Sequence, residues 1–226
     1  MDADGAARNW MRAAAPGIAT RRVPRHESSP IGRKARPSSR RWIAVLAIVV
    51  AIAGASTFAS GFYLHAKAEL AQRLLHAAWN ESLRSGAPIK PWPWADTYPV
   101  AHLIAPGHDA DVLVLAGASG RTLAFGPGHL DGSAMPGDAG NAVITAHRDT
   151  HFRFLRTVAP GDDLVVERKD GTWRHFRVRS AYVIDHRELR LPRDGAVPTL
   201  TLVTCYPFDA VQPGGPLRYV VVAEAA

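Results

Sequence analysis

The pattern of hydrophobic and polar positions divides the chain into distinct stretches. From Trp42 to Leu64 no residue is charged, a run of 23. At about 1.5 Å per residue a helix over this run is about 34 Å long, enough to cross a hydrocarbon core of about 30 Å. Trp42 and Tyr63 stand near its ends, where aromatic rings favour the membrane interface. The run therefore predicts a transmembrane helix over 42–64 that anchors the chain in the lipid bilayer. A cleaved signal peptide has a shorter apolar core, about 7–15 residues. The small residues of Ala53–Ser60 would permit cleavage, but the length favours an uncleaved anchor. A buried core helix is rarely apolar on every side.

Beyond the run, His65 to Arg84 is rich in helix formers. Leu70, Leu74, Ala77 and Ala78 recur at helical spacing with Trp79 beside them. This predicts a helix leading away from the membrane, ended by Gly86 and Pro88. The segment Pro91-Trp92-Pro93-Trp94 cannot continue it, because proline lacks an amide hydrogen. It is expected to form an extended arm, with Trp92 and Trp94 packed along the domain or facing the membrane interface. The pattern then turns to short strands. They are expected at Val100–Ile104, Asp111–Leu115, Leu123–Gly126, Ala142–Thr145, Asp163–Glu167, Trp173–Ile184, Thr199–Thr204 and Leu217–Ala223, with turn residues between them. Asp170-Gly171 is a hairpin signal between two of these strands. The expected fold is all-β, a sandwich or barrel, over 99–226, preceded by a juxtamembrane helix and arm over 65–98.

Charge changes the reading of the N-terminus. The chain carries a net charge of +7. Residues 1–41 hold 10 Lys+Arg and 3 Asp+Glu, while residues 42–226 hold 17 of each. The excess lies wholly in a tail rich in Arg, Pro and Ser, which reads as disordered and cytoplasmic. Its basic cluster could bind anionic lipid, although a role as topology signal suffices. The balanced remainder argues against a nucleic-acid partner. Arg33, Lys34, Arg36, Arg40 and Arg41 precede the apolar run with nothing comparable after it. The positive-inside rule then places the C-terminal domain outside the cytoplasm.

A single cysteine, Cys205, excludes an intramolecular disulfide and a multi-cysteine metal site. A free cysteine is most often a small buried hydrophobe. Cys205, however, follows the strand Thr199–Thr204 and precedes Tyr206-Pro207, where proline must end the ladder. A strand end can present a thiol to a groove. A thiol nucleophile needs a proton partner. Of ten histidines, His147 also ends an expected strand. A carbonyl attacked by a thiolate needs a donor for its developing negative charge, and Arg218 near the start of the last strand is a candidate.

These segments match a family. Thr201-Leu-Val-Thr-Cys205 resembles the TLxTC signature of sortases. Ala146-His-Arg-Asp-Thr-His-Phe152 resembles their histidine segment, and Pro216-Leu-Arg-Tyr-Val220 the segment carrying their arginine. The order His, Cys, Arg is the sortase order, whereas papain-like peptidases have Cys before His. Thr204-Cys-Tyr-Pro-Phe208 and Pro213-Gly-Gly-Pro-Leu-Arg218 look most like the branch found in Gram-negative bacteria. The resemblance implies a closed eight-stranded β-barrel with short helices and a membrane-anchored cysteine transpeptidase. Cys205 would attack a sorting motif near the C-terminus of a secreted substrate protein and form a thioester. His147 would protonate the leaving amine and deprotonate an incoming amine acceptor. Arg218 would orient substrate and stabilise the oxyanion. No metal or other cofactor is implied.

Many family members have glycine where this chain has Ala146. His147 and His151 are four apart, which on a helix would place both on one face as metal ligands, but a third ligand has no evident source. Leu191-Pro-Arg-Asp-Gly195 resembles an LPxTG sorting motif. It is internal, with no apolar stretch or basic tail after it, and reads as the loop before the Cys205 strand, where sortases form part of the substrate groove. Two rivals stand beside the transpeptidase reading: a membrane-anchored β-domain that only binds a partner, with Cys205 buried, and a cysteine peptidase that hydrolyses.

Overall fold

The structure is a computed structural model that describes residues 39–192, 195–212 and 214–226. The expected basic tail over 1–41 falls outside them, apart from its last three residues. Helix α1 runs without a break over Ser39–Ser85, so the expected transmembrane and juxtamembrane helices are one element. In its N-terminal unit, which ends at Ile52, Ile43, Leu46, Val50 and Ile52 are exposed. A helix apolar on all sides and uncovered by protein is a candidate membrane span.

The second unit begins at Ala53 and contains the rest of α1. Its buried face is Ala71, Leu75, Ala78, Trp79 and Ser82. Of the face expected through Leu70, Leu74, Ala77 and Ala78 with Trp79 beside them, Ala78 and Trp79 are buried, while Leu70, Leu74 and Ala77 are exposed, so the buried stripe is turned slightly. Both stripes satisfy helical spacing, and Trp79 decides between them. Its ring is buried with Leu75, and its indole nitrogen donates to Glu167 Oε2 at 3.0 Å. Gly86, at φ +71°, closes the helix, its amide donating to the Ser82 carbonyl.

Eight strands follow: β1 Pro99–Ala105, β2 Ala110–Ala116, β3 Gly128–His129, β4 Asn141–Thr145, β5 Asp163–Arg168, β6 Trp173–Asp185, β7 Thr199–Cys205 and β8 Leu217–Ala225. They close into a barrel in the order β1-β2-β3-β4-β7-β8-β6-β5. The pairs β2–β3 and β4–β7 are parallel, and the others are antiparallel. The Asp170-Gly171 hairpin forms as expected, with Gly171 at φ +75° and its amide on the Arg168 carbonyl. The barrel is filled by inward residues that include Leu103, Ile144, Phe152, Val166, Phe176, Leu202 and Val221. Leu75 and Trp79 of α1 cover the outer face of β2 at Leu113 and Leu115.

One expected strand is absent. Leu123–Gly126 instead ends a short helix, α2 Gly120–Leu123, and the turn after it. The Ser119 hydroxyl accepts from the Thr122 amide, and the Phe125 amide donates to the Thr122 carbonyl. These local bonds take the backbone groups that a strand would have used. The real third strand is two residues long and begins at Gly128, where a Cβ would lie 2.4 Å from the Gly117 carbonyl oxygen. The Trp-Pro segment is a turn, closed by the Ala95 amide on the Trp92 carbonyl, in place of the expected extended arm. Trp92 packs edge-on against Phe125 at 5.2 Å, and Trp94 is 80% exposed.

Candidate active site

Parallel pairing sets the site. β4 lies beside β7 with Thr145 level with Val203. Two residues further along each strand stand His147 and Cys205. The chain holds this register past the end of β4: the Ala146 amide donates to the Val203 carbonyl at 3.3 Å, and the Thr204 hydroxyl donates to the Ala146 carbonyl at 2.8 Å. On the other side of β7, Cys205 pairs directly with Arg218 of β8. The three sequence candidates thus come together at one end of three adjacent strands, although 71 residues separate the first from the last in the numbering.

Alternation determines their face. Side chains of paired residues project to the same side, and successive residues to opposite sides. Ile144, Ala146, Leu202 and Val221 fill the barrel. Val143, Val203 and Val220 form a separate cluster on its outside, with Leu189, Leu191 and Ile184 packed against them. His147, Cys205 and Arg218 have the parity of the outer set. They stand at the end of an apolar floor on the outer surface of the barrel, with the chain after β6 as a wall.

Each side chain has a distinct environment. Cys205 is partly exposed and free, which disfavours the reading of a sealed structural thiol. His147 is exposed, and its ring makes no hydrogen bond among the described residues. Its carbonyl accepts from the Phe152 amide at 3.1 Å, and fully buried Phe152 fixes that turn. Arg218 is half-buried. Its Nη1 donates to the carbonyls of Gly215 at 2.8 Å and Leu217 at 2.9 Å, and this fastens the end of the β7–β8 loop. Its Nη2 and Nε have no bond among the described residues and remain as donors.

Other groups border the three. Burial first, and the charge of His147 second, hold the His151 imidazole below the usual histidine value. His151 lies in the turn before a 3-10 segment at Arg153–Arg156. The helix assumed for a His147–His151 ligand pair is therefore not there. Tyr206 stacks on Tyr219 with centroids 6.2 Å apart, and Phe208 meets Tyr219 edge-on at 5.2 Å. Burial, then Tyr206, pushes the Tyr219 phenol up, so it stays uncharged next to Arg218.

Asn141 and Thr201 are further contributors that patterning does not reveal. The Thr201 hydroxyl donates to Asn141 Oδ1 at 2.8 Å, and Asn141 Nδ2 donates to the Pro192 carbonyl at 2.9 Å. This pair ties the chain after β6 to the floor beside Leu189 and Leu191. Leu191 and Pro192 belong to the segment resembling a sorting motif, and they serve as that wall. Arg193 and Asp194 of the same segment lie outside the described residues.

Comparison with known proteins bears on the family and the barrel fold. The family model described as the sortase domain matches residues 103–226. Sortase D of Bacillus subtilis is 29% identical over 119 residues, which is 53% of this chain and 60% of that protein. The chain thus matches less than two thirds of that relative's length. Among solved structures, a Sortase D5 transpeptidase of Clostridium perfringens aligns with a TM-score of 0.57 at 19% identity, covering 70% of this chain and 99% of that one. Sortase A from Corynebacterium diphtheriae aligns with a TM-score of 0.53 at 26% identity, covering 69% and 84%.

Proposed function

The chain belongs to the sortase family, and on that premise we propose that it is a membrane-anchored cysteine transpeptidase with Cys205 as nucleophile. The observation that carries the proposal is the register, with Cys205 paired to Arg218 and level with His147. The Cys205 thiol gives its proton to His147, and the thiolate attacks the backbone carbonyl of a sorting motif. The Nη2 and Nε groups of Arg218 stabilise the oxyanion. The carbon–nitrogen bond breaks as His147 returns the proton to the leaving amine. The substrate is left as a thioester on Cys205. An acceptor amine then attacks, His147 takes its proton, and the thiolate leaves as a new amide forms.

The apolar floor supports a peptide substrate. A motif of five extended residues is about 17 Å long, comparable with the reach from Cys205 back along β7 past Val203 and Thr201. The substrate is a secreted protein with such a motif near its C-terminus, and the acceptor is an amine. Residues 42–64 anchor the enzyme in the inner membrane, with the barrel on the periplasmic side. Assignment to the Gram-negative branch rests on the segments around Cys205 and before Arg218.

Product analysis tests the proposal. The protein is incubated with a library of peptides varied around LPxTG, with and without triglycine as acceptor. The proposal expects triglycine to divert the cleaved peptide into a new amide product. Hydrolysis alone, unmoved by increasing acceptor, would make the protein a peptidase. Absence of cleavage combined with resistance of Cys205 to iodoacetamide in the folded protein would support the binding-module reading.

A further inference from the structure

Arg148 follows His147 directly and differs from it in every respect. His147 is exposed, whereas Arg148 is only 7% exposed. Its Nη2 donates to two carbonyls, those of Ala210 at 3.0 Å and Gln212 at 2.9 Å. Both belong to the loop that joins Cys205 to Arg218. No carboxylate pairs with it among the described residues, and its buried Nη1 has no hydrogen-bond partner there. A buried guanidinium without a counter-charge, with one nitrogen unsatisfied, is an expensive way to stabilise a loop. An apolar side chain of similar volume would serve the fold as well.

The connections of Arg148 are specific to the site. Through its peptide bond it is attached to His147. Through the Ala210 and Gln212 carbonyls it holds the loop whose ends are Cys205 and Arg218. That loop is closed at its base by the Tyr206 amide on the Leu217 carbonyl at 3.1 Å and by the contact of Arg218 with the Gly215 carbonyl. The His147 ring has no side-chain partner of its own among the described residues, so its place depends on the backbone that carries it. Resting on the acyl-transfer reading above, we infer that Arg148 is a positioning residue that keeps His147 in register with the Cys205–Arg218 pair. It acts by bridging the end of β4 to the β7–β8 loop and does not touch the reacting atoms.

Steady-state kinetics and thiol alkylation test this. Misplacing a proton-transfer group by about 1 Å can cost about 100-fold in rate. Arg148→Met is therefore expected to lower kcat by about that factor, with KM for the peptide little changed and the melting temperature near that of wild type. Arg148→Lys, which keeps the charge and can still reach a carbonyl, should restore part of kcat. The pH profile of Cys205 alkylation by iodoacetamide is the second readout. Arg148→Met should move it in the same sense as His147→Ala, and the double variant should match His147→Ala. Wild-type kcat in Arg148→Met, or a profile change that adds to that of His147→Ala, would overturn the inference. If Arg148→Met does not fold, Arg148→Lys decides: lowered kcat at an unchanged melting temperature supports the role, and wild-type kcat refutes it. Wild-type protein inactive on every peptide would defeat the acyl-transfer reading and this inference with it. Active wild type with equally active Arg148 variants would defeat this inference alone.

Discussion

His147 and His151 lie four residues apart in one turn, yet the first is exposed and the second partly buried. His151 is partly buried, and burial followed by the charge of His147 holds it below the usual histidine value. The folded protein therefore binds fewer protons at His151 than the unfolded chain, whose value is about 6.5. Stability from this residue is fully present above about pH 6.5 and is lost as pH falls toward the depressed folded value. Thermal unfolding followed from about pH 8 to about pH 4 should show an acid-side decline that is shallower in His151→Asn. Superimposable acid limbs would contradict the placement. Cys205, His147 and Arg218 stand out as candidates in the sequence because strand ends and three short motifs mark them. Arg148 could not, since an arginine in a polar turn reads as solvated. Only the fold shows that it is buried against carbonyls more than 60 positions away.

Among the elements, the longer strands are legible because runs of strand-forming residues stand between turn residues, as in Thr199–Cys205 and Trp173–Asp185. The third strand is not, because two residues carry no period, and the apolar Leu123 and Phe125 point a few positions upstream of it. Helical spacing leaves the exact helix face open for a related reason: leucines at 70, 74 and 75 support two stripes that share Ala78, and the hydrogen bond of Trp79 to Glu167, 88 residues on, selects one. The stretch after β6 makes a sharper claim. Asn141 and Thr201 tie it to the floor through the Pro192 carbonyl, while Leu189 and Leu191 pack on Val143, Val203 and Val220. Asn141→Ala leaves the buried Thr201 hydroxyl without its acceptor, a cost of about 1–3 kcal/mol to stability. If this wall shapes the peptide groove, KM for a sorting peptide should rise about tenfold, equivalent to about 1.4 kcal/mol, while Cys205 alkylation by iodoacetamide stays at the wild-type rate. An unchanged KM would show that the wall does not contact substrate.

For the whole molecule, an uncovered apolar helix and a closed barrel belong to one chain, and the proposed topology gives them different surroundings. Protease added to intact spheroplasts should digest the barrel and leave an N-terminal epitope protected; the opposite pattern would reverse the orientation. Barrel closure explains how residues so far apart in sequence reach one end of adjacent strands: β7 lies between β4 and β8. The sequence order of the three motifs points to this arrangement but cannot show the parallel β4–β7 pairing that produces it. The account stands or falls on the claim that acyl transfer passes through Cys205. Intact-protein mass spectrometry of the wild type, acid-quenched during turnover of a cleaved sorting peptide, measures this directly. A single adduct with the mass of the acyl fragment should map to Cys205, disappear when triglycine is added, and be absent from a folded Cys205→Ala variant. An adduct on another residue, or undiminished peptide cleavage by Cys205→Ala, would contradict it.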